Sequence, residues 1–216
     1  MELTVATFNI RNGRAFDGWN SWPLRRRATA DAIRSLDADV IGLQEVYNCQ
    51  RRFLRRELLE YGFFGDGRNG GRRGEHTPVV SRIPVSSVTT RWFELDGSRF
   101  PRIATTATFD GDFNFTTTHL DEASTPRRNE SAVQLRAWLD GLAGPHIVVG
   151  DFNAEAGASL FDALGLVRVD PGPSGTTHHF QGNTDGRQID HILVSPGIDI
   201  LHACVMHPRP DGRLPS

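Results

Sequence analysis

The chain has 216 residues, a formal net charge of −2 and a hydrophobic fraction of 38%. That is enough chain for a single globular domain over residues 1–216 with a sizeable core, and the charge excludes a globally basic nucleic-acid binder. All 24 basic residues are arginine, so any cationic contact to a substrate uses a guanidinium, which matches phosphate but cannot serve as an amine nucleophile.

Cys49 and Cys204 are too few and too far apart for a disulfide framework or a zinc site, and read as free thiols of a reducing compartment. No stretch approaches the ~20 apolar residues of a membrane span. Met1 leads directly into a strand-like run, without the charged and apolar segments of a secretion signal. The expectation is a cytoplasmic protein without membrane contact.

In chain order, Leu3 to Ile10 predicts a strand ending at Asn9. Ser21 and Pro23 open a helix carrying Leu24, Ala28, Ile33 and Leu36. Asp39 to Leu43 predicts a buried strand closing on Gln44 and Glu45. Phe53, Leu54, Leu58 and Leu59 mark a second helix, whose other face bears Arg51, Arg52, Arg55 and Arg56. Asp66 to Gly74, rich in Gly and Arg, predicts a loop. Strands are predicted at Thr77–Ser81, Val85–Leu95, Arg102–Phe109 and Phe113–Leu120, the last two joined by the hairpin signal Asp110-Gly111.

A third helix opens at Thr125 or Pro126, with Val133, Leu135, Trp138, Leu139 and Leu142 on its apolar side, and Gly144-Pro145 end it. The β-branched run Ile147-Val148-Val149 then fills a buried strand, closed by Gly150. A short helix near Ser159–Leu164 and strands at Ile189–Val194 and Ile198–Val205 complete the pattern. Strands outnumber helices and hairpins alternate with helical connections, which predicts an α+β sandwich of two sheets with helices outside.

Several of these strands end in residues of catalytic type: Asn9, Glu45, His119, Asp151 with Asn153, and Asp190. If the extended period continues past Gly150, Asp151 and Asn153 share one side and Phe152 points the other way. A carboxylate beside a carboxamide can orient a water and donate to an oxyanion. Taken alone, Asp-x-Asn after a strand is more commonly an Asx turn.

Six short stretches together resemble the endonuclease/exonuclease/phosphatase superfamily, the fold of deoxyribonuclease I. They are Thr7-Phe8-Asn9-Ile10-Arg11, Leu43-Gln44-Glu45-Val46, Gly74-Glu75, Thr118-His119-Leu120-Asp121, Gly150-Asp151-Phe152-Asn153 and Arg187-Gln188-Ile189-Asp190-His191-Ile192. Each is weak alone, but all run in the family's order and cover nearly the whole chain.

The resemblance implies a four-layered α/β/β/α sandwich of two mixed sheets, with the site at one rim. It implies Glu45 as principal ligand of Mg²⁺, with Mn²⁺ as a substitute, and Asn9 binding the same ion or a neighbouring phosphate oxygen. His119 would contact the scissile phosphate, with Glu75 fixing its tautomer. Asp151 would orient or deprotonate the attacking water and Asn153 would steady the phosphorane. Arg102 and Arg127 are candidate phosphate contacts, with ordinary salt-bridging as the alternative. His178, His179 and His191 are read as structural or substrate-lining.

The family closes with Ser-Asp-His and a strand, the His being held by the residue matching Asp190. The present sequence stops at Pro215-Ser216, after Asp211-Gly212-Arg213-Leu214, so that His and strand are expected to be missing from it. The reaction class implied is metal-assisted hydrolysis of a phosphate ester, of phosphodiesterase or endonuclease type, on nucleic acid or a small phosphorylated molecule. Alternatives are a small-molecule phosphatase acting on a nucleotide, phosphosugar or inositol phosphate, and a catalytically silent binding protein of the same fold.

Overall fold

Alternation along the central strands sets the layers. The computed structural model describes residues 1–110, 113–177, 180–209 and 212–216. Its first elements are β1 (Val5–Asn9), α1 (Trp22–Ser35), β2 (Val40–Gln44), β3 (Val46–Tyr47), α2 (Asn48–Glu57), β4 (Gly62–Phe64), β5 (Glu75–His76) and β6 (Val79–Ser81). They are followed by β7 (Ser87–Trp92), β8 (Ile103–Phe109), β9 (Phe113–His119), α3 (Thr125–Asp140), β10 (His146–Asp151), α4 (Leu160–Leu164), β11 (Val167–Arg168) and β12 (Asp190–Val194). One sheet has the order β1-β2-β6-β4, the other β11-β12-β10-β9-β8-β7, and β3 pairs with β5 in a small ribbon.

On β2, Ile41 and Leu43 face outward and pack with Ile33 of α1 and Leu54 of α2. Val40, at the alternate position, joins Phe115 and Val149 between the sheets. On β10, Val148 packs outward against Leu135 of α3 and Leu160 of α4, while Ile147 and Val149 face the other sheet. Period-two side chains thus feed three separate apolar cores, and the result is the expected four-layered α/β/β/α sandwich. Each fully buried Leu or Ile contributes roughly 1.5–3 kcal/mol.

The two sheets pack tightly at Gly42, where an added Cβ would lie 2.3 Å from Val149 Cγ2 and 2.7 Å from Thr117 Oγ1. Gln44 Nε2 donates across the same gap to Thr117 Oγ1 at 3.1 Å, and within its own sheet to Thr7 Oγ1 of β1 at 3.2 Å. This polar seam couples the sheets directly below their common rim.

Ser21 and Pro23 do open α1, and Ser124 caps α3 by accepting from the Arg127 backbone. The predicted strand Ile198–Val205 does not form: β12 is the last strand among the described residues. Its sequence has strand character, but it pairs with no strand among the described residues and instead lines, together with the edge strand β1, a cavity of about 720 Å³. Leu59 and Val133, expected on apolar helix faces, are 84% and 60% exposed. Leu54 with Leu58, and Ala132 with Leu135 and Leu139, already fill the available contact, and single apolar residues on a surface are ordinary. The β8–β9 hairpin forms with Phe109 opposite Phe113, and Gly111 of its turn lies outside the described residues. Among the described residues no helix is long and apolar enough to cross a membrane.

Candidate active site

Strand register brings the polar strand ends to one level. β10 lies between β9 and β12, so Asp151 is paired with His119 on one side and Asp190 on the other. In the facing sheet, Asn9 of β1 pairs with Gln44 of β2, which places Glu45 one residue beyond. Glu45 has φ of +59°, a left-handed backbone that costs a non-glycine residue on the order of 1 kcal/mol or more. Two hydrogen bonds to its carboxylate hold it there: Asn9 Nδ2 donates to Oε1 at 3.0 Å and the Asn12 N–H to Oε2 at 2.7 Å.

Asn9 also joins the two sheets, since Nδ2 donates to Asp151 Oδ2 at 3.0 Å while Oδ1 accepts from the Arg11 N–H at 2.9 Å. On the far side of Asp151, His119 presents Nε2 at 3.8 Å from Oδ2. The other ring nitrogen, Nδ1, lies 3.2 Å from Glu75 Oε1. Asp151 Oδ1 accepts from the Asn153 N–H at 2.9 Å, and Asn153 Nδ2 donates to Leu120 O at 3.0 Å. The Asx turn is therefore present, with Asn153 at φ +51° beside the site. Phe152 points away into the α3–α4 core. A Cβ on Gly150 would lie 2.1 Å from Thr118 O, so only glycine lets β9 and β10 close to this register.

Burial disfavours a charged His119, but the hydrogen bond to Glu75 and the Asp151 and Glu75 charges outweigh it and raise its pKa. Burial likewise opposes a charged Glu75, and there the His119 bond and charge, with Arg68 and Arg102, win and lower its pKa. Asp190 goes the other way. Burial, then the Asp151 charge, push its pKa well above the ordinary carboxylate value, against Thr176 and His119. Its Oδ1 is buried without a hydrogen-bond partner among the described residues.

The structure thus brings together Asn9, Glu45, Glu75, His119, Asp151, Asn153 and Asp190. Arg102 is buried and pairs with Glu122, beneath Glu75, Asp121 and Asp151. Arg127 is engaged by the Asp96 carbonyl at 3.0 Å and by Asp121 at 3.7 Å. His191 is buried: its Nε2 meets Ala154 O at 2.8 Å and its ring packs on Phe161. His178 and His179 lie outside the described residues.

Two arginines escaped the sequence reading. Arg25 of α1 is buried and forms no ion pair among the described residues. Its guanidinium donates to the carbonyls of Ile10, Arg11, Asn20 and Pro215 at 2.7–2.9 Å, and burial takes its pKa down to about 10. It pins the chain that leaves Asn9. Arg68 contacts Glu75 from the loop before it; an arginine framed by glycines ahead of Gly74-Glu75 was the signal available.

The Glu45 and Asp151 carboxylate oxygens that converge on the Asn9 amide suit a hard divalent cation, and the Asn9 carboxamide would add an oxygen once turned from the Arg11 N–H. Among the described residues no three His, Cys, Asp or Glu side chains cluster closely enough to enclose one. Such an ion would keep several water ligands, as magnesium does.

A profile for the Endonuclease/Exonuclease/phosphatase family matches residues 6–211. Among solved structures, the chain is 28% identical to the mannosyl-6-phosphatase Bt3783 of Bacteroides thetaiotaomicron VPI-5482, with a TM-score of 0.83 over 91% of this chain and 86% of that one. An endonuclease/exonuclease/phosphatase of Bacteroides vulgatus is 29% identical, with a TM-score of 0.80 over 90% and 87% of the two chains. A functionally unknown protein of Enterococcus faecalis V583 shares the fold at 23% identity, with a TM-score of 0.89 over 98% and 94%. A search of curated proteins returned no match.

Proposed function

The chain belongs to the endonuclease/exonuclease/phosphatase family, and on that premise we propose that it is a divalent-metal-dependent hydrolase of phosphate esters, of phosphodiesterase or nuclease type, acting by in-line attack of water on phosphorus. The observation that carries the reading is the Asn9 amide nitrogen, 3.0 Å from both Glu45 and Asp151, with the His119–Glu75 pair on the other side of Asp151. Two carboxylates converge there on one proton donor, at the rim where two sheets meet.

Glu45 and the Asn9 carboxamide would hold Mg²⁺, with Mn²⁺ able to replace it. When bound, the ion supplies positive charge to a phosphoryl oxygen and to the departing oxygen. Asp151 orients the attacking water and accepts its proton. Beside it, burial and the Asp151 charge both oppose ionisation of Asp190 and raise its pKa, so of the two carboxyls Asp151 is the one placed to act on the water. Glu75 holds the proton of His119 on Nδ1, which turns Nε2 toward the substrate; the protonated ring donates to a phosphate oxygen. Asn153 offers its amide to the phosphorane oxygens.

The test is hydrolysis of bis(4-nitrophenyl) phosphate and 4-nitrophenyl phosphate under magnesium titration. Turnover should require the metal and fall about 10²–10⁴-fold in Asp151→Asn and Glu45→Ala. Absence of turnover on every ester, or turnover indifferent to EDTA, refutes the reading. A second reading, a phosphomonoesterase for sugar phosphates, is supported by the 28% identity to a mannosyl-6-phosphatase. Faster hydrolysis of mannose 6-phosphate than of the diester would select it.

A further inference from the structure

The loop Asp66 to Gly74 folds back on itself so that Arg68 meets Glu75. Gly67 N–H donates to Gly71 O at 2.6 Å, Asn69 N–H to Arg73 O at 3.3 Å, and Arg68 N–H to Glu75 O at 2.8 Å. The turn needs its glycines: Gly70, Gly71 and Gly74 have φ of +84°, +54° and +76°, and a Cβ on Gly67 would lie 2.0 Å from Arg73 O.

Arg68 is treated differently from its neighbours. Arg72 and Arg73 are exposed and form no ion pair among the described residues. The Arg68 side chain is only 11% exposed and its Nη1 lies 3.3 Å from Glu75 Oε2. Its guanidinium sits 4.4 Å over the Phe100 ring, and its carbonyl accepts from Trp92 Nε1 at 2.7 Å. The Phe100 ring thus holds the guanidinium against one oxygen of a buried carboxylate whose other oxygen contacts His119, while Trp92 anchors the Arg68 backbone. Arg102 adds its charge near Glu75 but makes its ion pair with Glu122, so among the arginines of the described residues it is Arg68 that contacts a Glu75 oxygen.

We propose that Arg68 is a positioning residue for His119. By occupying Glu75 Oε2 it fixes the rotation and the charge of the carboxylate, so that Oε1 stays an acceptor for the Nδ1 proton and Nε2 stays free toward Asp151. A Glu75 without that partner could rotate, or take up a proton and donate it to Nδ1, which inverts the ring tautomer. The catalytic consequence rests on the phosphoesterase reading; the tautomer does not.

The test compares Arg68→Gln and Arg68→Lys with the wild-type chain, using magnesium-dependent hydrolysis of bis(4-nitrophenyl) phosphate and long-range ¹H–¹⁵N spectra of the imidazoles, with His119→Asn to assign the signals. Arg68→Gln should lower kcat about 10- to 100-fold at nearly constant KM, by analogy with the loss of other supporting shells. It should also move His119 away from the Nδ1-protonated pattern, and Arg68→Lys should restore most of both. A raised KM with unchanged kcat would make Arg68 a substrate contact instead. An unaltered His119 signal in Arg68→Gln would overturn the proposal. If the wild type hydrolyses no ester, the functional reading fails while the His119 spectra still decide the role of Arg68. Should the Gln variant fail to fold, an Arg68→Lys spectrum unlike the wild type overturns the proposal.

Discussion

Glu75 and His119, 44 residues apart, meet at 3.2 Å in a buried contact that raises the pKa of the imidazole and lowers that of the carboxylate. Each shift has a sign that links charge to stability. The raised His119 value means its contribution is complete below its ordinary value of 6.5 and is lost as pH rises through the folded value. The lowered Glu75 value means its contribution is complete above 4.5 and is lost as pH falls through the folded value. Urea unfolding of wild type and Glu75→Gln should therefore differ most between those two ordinary values and converge on either side. A difference that does not vary with pH would show that the pair is not ionic.

Asn9→Asp replaces the donor between Glu45 and Asp151 by a third carboxylate. In EDTA the variant should melt well below the wild type, because like charges about 3 Å apart repel strongly. Added Mg²⁺ should raise its Tm more than that of the wild type, since a ligand that binds only the folded state stabilises by mass action. Equal shifts in the two proteins would place the ion elsewhere.

Arg25→Met removes the donors to four backbone carbonyls around the exit of β1. Buried acceptors left unpaired cost about 1–3 kcal/mol each, so a loss of at least 2 kcal/mol is expected in urea unfolding. Backbone amides of residues 11–20 should lose hydrogen-exchange protection before the core strands do.

Gly42→Ala drives a methyl group into Val149 and Thr117 of the facing sheet. Overpacking there should cost about 1–3 kcal/mol, measured as a drop in Tm. Because Gln44 and Thr117 tie the sheets under the rim, ester hydrolysis should fall with it. Gly141→Ala, at the end of α3 where an added Cβ meets nothing closer than 3.5 Å, should change neither by comparison.

Much of this arrangement is visible in the letters. Continuous apolar runs in Val40–Gln44 and His146–Asp151, and polar residues where such strands stop, announce buried strands with a polar rim. The order of Asn9, Glu45, Glu75, His119, Asp151 and Asp190 carries the family resemblance. Those features are legible because strand periodicity and strand termination are local properties of the chain.

What the chain order could not decide is who stands beside whom across the gap. Ile198–Val205 has the composition of a strand, yet a strand exists only where a neighbour accepts its hydrogen bonds. Arg25 and Arg68 look like any of the 24 arginines until packing removes water from them and leaves the Ile10 carbonyl or the Glu75 carboxylate as the partner. Sequence by itself determined the main helices and central strands and the acidic and imidazole groups at their ends. Only the tertiary structure decided the register that sets Asp151 between His119 and Asp190, and the contacts that hold Asn9 against Glu45, because both depend on interactions between segments far apart in the chain.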